Sequence, residues 1–109
     1  MSKGKKESDG KLRVDLIPPE VELALAEVLT YGAMKYGDNN WKKGVEYSKI
    51  YGALRRHLLA WRQNDIVDNE SGLPHLWHAF TELAFLVWYE INGYAEDFDD
   101  LLPAEDENE

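Results

Sequence analysis

All three histidines of the chain lie within 22 residues, and acidic side chains surround them. The histidines are His57, His75 and His78, and the acids of the same stretch are Asp65, Asp68, Glu70 and Glu82. Imidazole and carboxylate groups together suit a divalent cation or general acid–base chemistry. The alternative is that the acids favour a helix start while the histidines form hydrogen bonds at the edge of the core. The spacing alone leaves both interpretations open.

A second group of candidate residues is basic and is spread over the first half of the chain. Its members are Lys11, Arg13, Lys35, Lys42, Lys43, Arg55 and Arg56. The guanidinium fork suits phosphate oxygens, so the Arg55–Arg56 pair next to His57 is the best candidate to hold a polyphosphate. An ordinary solvated surface is the simpler interpretation for any single member of the group.

A third group is aromatic and lies around the segment Gly-Asp-Asn-Asn-Trp. A purine or pyrimidine base could stack on Trp41, Tyr31 or Tyr36 while Asn39 or Asn40 hydrogen-bonds to its edge. The alternative, which the sequence favours, is that both tyrosines pack in the core and that Trp41 covers them.

The segment that must position the histidines is a long predicted helix between Ser71 and Gly93. Ser71 is suited to cap its start, Pro74 fits the first turn, and Gly93 fits the position after its end. The spacing of His75, His78 and Glu82 places them on one face of this helix.

From Leu83 to Tyr89 the same helix is apolar on nearly all sides. A helix of this kind is expected to be wrapped by other elements, since little of its surface suits water. The polar face at its start therefore needs partners, because buried imidazole and carboxylate groups are costly when unpaired.

The remaining pattern predicts an all-α fold, with three main helices and a possible short fourth. The first helix is predicted from about Pro19 to Tyr36, and the second from a Ser48 cap to near Asn64. The sequence also allows a short fourth helix or a turn around Asp97 to Leu102. Short connections favour antiparallel neighbours in a small bundle, which we expect oligomerisation to complete.

Length and charge divide the 109 residues into three parts. We expect a flexible N-terminal segment at 1–10, a helical domain at 11–94 and an acidic, mobile tail at 95–109. The tail holds eight acids and no Lys or Arg, so the net charge of −9 falls to −1 without it. This acidity argues against duplex nucleic acid as a partner. The chain has no cysteine, and no apolar run is long enough for a membrane span or a secretory signal.

Four segments, taken together, resemble the N-terminal domain family of phage dATP/dGTP diphosphohydrolases. They are residues 11–18, 31–41, 51–61 and 68–79, in the same order along the chain. The resemblance implies hydrolysis of purine deoxynucleoside triphosphates to monophosphate and pyrophosphate, in the cytoplasm of an infected bacterial host. It also implies a likeness to the MazG-like all-α pyrophosphohydrolases, which use Mg²⁺ or Mn²⁺.

Under this hypothesis each group of candidate residues receives a role. The catalytic candidates are His57, Glu70 and His78. The substrate-binding candidates are Arg13, Lys35, Asn40, Trp41, Arg55 and Arg56. The candidate metal ligands are Glu27, Asp68, Glu70, His75, His78 and Glu82. MazG-like enzymes usually bind metal through acids repeated at helical spacing on two helices, whereas the third helix here offers two histidines and one acid.

Two other functions compete with this hypothesis. The first is a phage protein that binds a purine nucleotide, such as a nucleotide signal, without hydrolysing it. The second is a small interaction domain whose acidic tail contacts a basic partner.

Overall fold

A computed structural model describes residues 4–7 and 9–101 of the chain, and within these residues the fold is all-α. The helices are α1 (Pro19–Tyr36), α2 (Tyr47–Arg62), α3 (His75–Ile91) and the short α4 (Ala95–Phe98). Two 3₁₀ turns precede α1 and α2, at Val14–Leu16 and Asn40–Lys43. The described residues form no β-strand, only one isolated bridge between Val67 and Pro74. The predicted fold class of three main helices and a short fourth is confirmed.

Helix α1 has the bounds that its sequence predicts. Pro18 is extended and Pro19 opens the helix, where its missing N–H costs no hydrogen bond. Gly37 ends the helix with φ at +98°, a backbone conformation that favours glycine. Ala24 and Val28 face inward and are buried.

Helix α2 begins one residue before Ser48, so the predicted Ser48 cap is wrong. The cap comes from the far end of the chain, because the Asp100 carboxylate accepts hydrogen bonds from the Ser48 N–H at 2.8 Å and from its hydroxyl at 2.6 Å. The helix ends at Arg62. Two residues later, Asn64 has a left-handed backbone conformation, and the Asp65 N–H donates to the Ala60 carbonyl at 2.9 Å.

Helix α3 starts at His75, three residues later than a Ser71 cap predicts, because a closed loop occupies residues 66–74. Two main-chain hydrogen bonds close this loop, from the His75 N–H to the Ile66 carbonyl at 2.8 Å and from the Asp68 N–H to the Leu73 carbonyl at 2.9 Å. Ser71 therefore lies inside the loop and does not cap α3. The helix ends at Ile91, before Gly93, whose φ is +74°.

The core forms where α3 packs against both α1 and α2. Ala79 and Tyr89 of α3 are buried there, with Ile50 of α2. The helical spacing of Tyr51, Leu54, Leu58 and Trp61 predicts an inward stripe on α2. This prediction is wrong at both ends of the stripe, because Tyr51 and Trp61 are exposed.

An aromatic cluster extends this core toward the C-terminal end of α3. The Tyr89 ring stacks on Tyr94 at 4.7 Å between centroids and on Tyr47 at 5.8 Å. Phe98 of α4 lies 5.7 Å from Tyr94 and against the backbone of Gly44. The α4 segment, inside the predicted tail, is thus attached to the loop that precedes α2.

The prediction that other elements wrap α3 is wrong for one of its faces. A stripe of apolar side chains along the helix stays exposed to solvent: Leu76, Phe80, Leu83, Val87 and Ile91. These positions lie about half a turn from His78 and Glu82, so α3 has a polar face and an opposite bare apolar face.

Among the residues that the structure describes, no helix combines the length and the apolar character of a membrane span. The predicted flexibility of residues 1–3 and 8, and of the tail from 102 to 109, concerns positions outside the described residues.

Candidate functional site

A cleft of about 760 Å³ lies between the C-terminal half of α1, the loop before α2, and the facing sides of α2 and α3. Its α3 wall consists of His78, Thr81, Glu82 and Phe85. His57 of α2 reaches it from the adjoining side. The polar face predicted for α3 therefore points into a cavity of the size typical of small-molecule sites.

The three histidines meet at one end of this cleft. The Nδ1 atoms of His57 and His75 are 2.8 Å apart, so one of them carries the shared proton. The rings of His57 and His78 stack, with centroids 4.7 Å apart and planes inclined by 14°. The three rings therefore form one cluster between α2 and the start of α3.

Ser71 connects the histidines to an acid of the preceding loop. Its N–H and its hydroxyl both lie within hydrogen-bond distance of Asp68 Oδ2, at 2.9 and 2.8 Å. Its Oγ is also 2.6 Å from His78 Nε2. The sequence predicts Ser71 as a helix cap, whereas the Asp-x-x-Ser spacing from Asp68 to Ser71 is typical of a loop turn and is the signal for the role observed.

The environment keeps the buried imidazoles neutral and the acid ionised. Burial lowers the pKa of both His57 and His78, and the neighbouring histidine charges lower it further. Burial opposes ionisation of Asp68, but the hydrogen bonds from Ser71 and the nearby histidines outweigh it and lower the pKa of this carboxyl. Neutral imidazole and ionised carboxylate are the protonation states that bind metals.

A set of possible metal ligands stands out in this region. His57, Asp68 and His75 each offer one ligand atom, and these atoms all lie within 4.8 Å of one another. Two imidazole nitrogens and one carboxylate oxygen fit a transition-type divalent ion such as Mn²⁺ better than Mg²⁺, which prefers oxygen ligands. Asp65 lies 3.5 Å from His75 Nε2, where it orients this ring from behind.

Glu82 is the second acid of the α3 wall, and it lies one turn beyond His78. Burial raises the pKa of this carboxyl to about 7, and only the positive charge of Arg56 opposes the shift. No hydrogen bond to another described residue stabilises its charge. An unpaired carboxyl with this pKa can accept or donate a proton near neutral pH.

Lys35 and Glu70 form an ion pair at the mouth of the cleft. Hydrogen bonds from Lys35 and Tyr31 lower the pKa of Glu70, and the same carboxylate raises that of Lys35. Tyr31 also places its ring edge-on to His78, with centroids 6.2 Å apart. The pair joins α1 to the loop before α3 and puts a positive and a negative group beside the histidines.

Trp41 forms the wall at the opposite end of the cleft. Its ring stacks on Phe85 at 4.5 Å between centroids, and its carbonyl accepts a hydrogen bond from the buried Tyr89 hydroxyl at 2.5 Å. Lys42 lies 5.5 Å from the Trp41 ring centroid and 5.4 Å from that of Trp88. One face of Trp41 is thus occupied by Phe85. The packing interpretation of the sequence is wrong for Tyr36, which is 62% exposed and does not lie in the core.

The predicted site residues divide into those that line the cleft and those that do not. Most of the candidates line it or join its histidine cluster: Lys35, Asn40, Trp41, His57, Asp68, Glu70, His75, His78 and Glu82. Four candidates are exposed and are not part of its lining: Arg13, Glu27, Arg55 and Arg56. Arg13 pairs with Asp15 in the segment before α1, and Arg55 donates to the Tyr51 hydroxyl at 2.9 Å.

The roles of all these residues stay predictions. Lys49 lines the cleft, although the sequence did not single it out.

Comparison with known proteins identifies the family of this fold and cleft. The family model described as dATP/dGTP diphosphohydrolase, N-terminal, matches residues 1–100. The chain belongs to this family. The match includes α1, the loop before α2, α2, the loop at 66–74 and α3, so it covers every element that forms the cleft.

One curated relative is similar over most of the chain. It is a dATP/dGTP diphosphohydrolase of Salmonella phage PMBT28, 36% identical over 85 residues, which are 78% of this chain. The chain spans only 29% of that relative's length. No solved structure matches the chain significantly.

Proposed function

We propose that the cleft binds a purine deoxynucleoside triphosphate and hydrolyses it to the monophosphate and pyrophosphate. The observation that carries this proposal is the cluster of His57, Asp68 and His75 at one end of a nucleotide-sized cleft. The family and the printed activity of the phage relative support the same substrate class. Because this chain covers less than a third of that relative, its own activity has to be tested on the chain itself.

In this proposal a divalent cation, Mn²⁺ or Mg²⁺, is held by His57, Asp68 and His75. Such an ion neutralises phosphate charge and lowers the pKa of a bound water. The pKa values of His57 and Asp68 leave both ready to bind it at neutral pH. The donor set favours Mn²⁺ of the two ions.

Glu82 is proposed as the general base. It faces the cleft one turn from His78 and has no hydrogen-bonded partner among the described residues. It would take the proton of the water that attacks the α-phosphorus, while the bond from this phosphorus to the bridging oxygen breaks and pyrophosphate leaves. The base of the nucleotide would lie toward Trp41, where Asn39 and Asn40 offer amide groups.

The phosphate chain would be held by Lys35, which pairs with Glu70 beside the histidines. Lys42 and Lys49 also line the cleft, whereas the predicted Arg55 and Arg56 lie outside. Lys35 would exchange its carboxylate partner for a phosphate, since both present oxygen acceptors to the ammonium.

The decisive experiment measures pyrophosphate release from dATP and dGTP with Mn²⁺, with Mg²⁺ and with a chelator. We expect release that depends on metal and is at least tenfold faster with Mn²⁺. His57→Ala and Asp68→Asn should lower the rate at least a hundredfold. Glu27→Gln, an exposed acid of α1 outside the cleft, is the matched control and should retain the rate of the original chain. No release from any purine triphosphate would refute the proposal.

One observation favours binding without turnover as a second candidate function. Two acids of the histidine region are already engaged, Asp68 by Ser71 and Glu70 by Lys35. In that case nucleotide should raise the melting temperature in the presence of a chelator, and the ligand should be recovered unchanged after denaturation.

A further inference from the structure

The bare apolar stripe of α3, formed by Leu76, Phe80, Leu83, Val87 and Ile91, lies on the side of the helix that faces away from the cleft. Positions 78 and 87 are nine residues apart, which is about half a turn on the helical wheel. The side chains of the stripe are between 37% and 75% exposed. The stripe is therefore separate from the proposed nucleotide site, although the same helix carries both.

The described residues bury few apolar side chains for a domain of this size. Only Ala24, Val28, Ile50, Ala79 and Tyr89 are buried hydrophobic residues. Small domains commonly gain the missing buried surface by association. An uncovered stripe on the helix against which α1 and α2 both pack is the natural place for that association.

The size of the stripe fits the apolar centre of a small dimer interface. Its five side chains expose roughly 500 Å² in all, against about 800 Å² per partner in a standard interface. Homodimer interfaces are about 65% apolar, so the stripe would supply the apolar share of one such interface.

The charge distribution indicates which partner the stripe suits. Its five side chains carry no ionisable group and one acid, Glu90, lies at its edge, whereas the whole chain carries a net charge of −9. Two identical copies can approach along an uncharged stripe with the least repulsion, and a two-fold interface requires a patch that complements itself. An anionic membrane would repel the chain, and a basic peptide would find no acid within the stripe.

We propose that the stripe is the interface between two copies of this chain, which associate back to back through α3. The two clefts then face outward, and each is built from the residues of one chain. This inference does not depend on the proposed hydrolysis, because it concerns the opposite face of the helix.

The chain offers a closely matched pair of variants for the test. Leu83 and Leu59 are 51% and 49% exposed, and each lies within a long helix. Leu83 is the centre of the stripe, whereas Leu59 is on α2. Sedimentation at 5–200 µM, without nucleotide or metal, should give the original chain twice its 12.6 kDa mass. Leu83→Glu should weaken association at least thirtyfold, and Leu59→Glu should leave it unchanged.

Three results would overturn the proposal. They are a monomeric original chain at 200 µM, a Leu83→Glu variant that still forms the dimer, and a Leu59→Glu variant that dissociates equally. Circular dichroism establishes that each variant keeps its helices, and a second variant, Val87→Glu, should repeat the effect of Leu83→Glu.

Cross-linking tests the arrangement independently of stability. The chain contains no cysteine, so Leu83→Cys introduces a single thiol at the centre of the stripe. A two-fold axis through the stripe brings this residue near its own copy, and oxidation should give a disulfide-linked dimer. Leu59→Cys should give none. Equal cross-linking of both variants would contradict the back-to-back arrangement.

Discussion

Glu82 is an acid in surroundings that penalise its charge. Its pKa of about 7 lies above the ordinary value of 4.5, so the folded chain retains a proton that the unfolded chain releases. The stability contributed by this neutral carboxyl is complete below pH 4.5 and is lost as the pH rises to 7. This behaviour distinguishes Glu82 from Asp68 and Glu70, whose pKa values are lowered.

Replacing Glu82 by Gln should therefore remove one component of the pH dependence of stability. At pH 8 the variant should gain on the order of 2–3 kcal/mol relative to the original chain, and at pH 4.5 the difference should be close to zero. Urea unfolding at both pH values measures this difference. His57 and His78 titrate alike in both proteins, so their effects cancel. An equal effect at both pH values would contradict the assigned pKa.

The meeting of the histidines could be predicted from sequence, whereas the link through Ser71 could not. His75 and His78 share a helix face by spacing, and His57 lies on the helix just before. Ser71 has the sequence features of a helix cap. It does not cap α3, because main-chain hydrogen bonds hold residues 66–74 in a loop and the helix begins after them. The pattern of residue types does not encode this main-chain pairing, which joins Ile66 to His75.

At the scale of elements, the segment from Tyr94 to Asp100 holds the loop that carries Trp41. The Tyr94 hydroxyl donates to the Lys42 carbonyl at 2.6 Å, Phe98 covers Gly44, and Asp100 caps α2. The Tyr89 hydroxyl adds a bond to Trp41 itself. The wall of the cleft thus depends on residues about fifty positions later in the chain.

Gly44 is the position where this attachment has no room for a side chain. A Cβ there would overlap the Phe98 ring, and φ is +108°. Gly44→Ala should destabilise the fold by about 2–3 kcal/mol, through both strain and displacement of Phe98. Thermal and urea unfolding measure this loss.

Gly32→Ala is the matched control for that substitution. Gly32 lies within α1, and a Cβ there would have no other atom within 4 Å. Alanine at this position should stabilise the helix by up to about 1 kcal/mol.

In a Phe98→Ala background, Gly44→Ala should cost less than it does alone. An equal cost in both backgrounds would mean that backbone strain, without the Phe98 contact, accounts for the effect.

The helix bounds follow the same division between local and long-range causes. Pro19 at the start of α1 and Gly37 after its end fix the bounds of this helix, so the sequence predicts these bounds correctly. The start of α2 depends on Asp100, which lies 52 positions from Ser48. The exposed stripe of α3 was predicted to be wrapped, because a sequence pattern shows that a face is apolar without showing whether the same chain covers it.

At the scale of the whole molecule, the acidic C-terminal region is not uniform. Phe98 and Asp100 contact the body of the fold, although their segment has the composition of a solvated tail. The acidic composition of residues 95–109 therefore gives no sign that Phe98 and Asp100 pack against the fold.

Truncation at two points should separate these parts. Removing 95–109 deletes Phe98 and Asp100 and should destabilise the chain by at least 2 kcal/mol, on the order expected for a lost core aromatic side chain and a lost cap. Removing only 102–109 retains both residues and serves as the control. Unfolding by urea measures both variants, and equal stabilities would show that the Phe98 and Asp100 contacts contribute little.

Helix α3 carries two patterns with the same period, offset by about half a turn. A change in the length of α3 near its start would therefore alter both surfaces at once. Two inserted residues rotate everything downstream by about 200°, which would turn Leu83 and Val87 toward the cavity and Glu82 toward solvent. Seven inserted residues add nearly two full turns and would preserve both faces. Insertions and deletions in this helix should therefore be tolerated only when their length is close to a whole number of turns. Any other length would move both the cleft wall and the apolar stripe out of place.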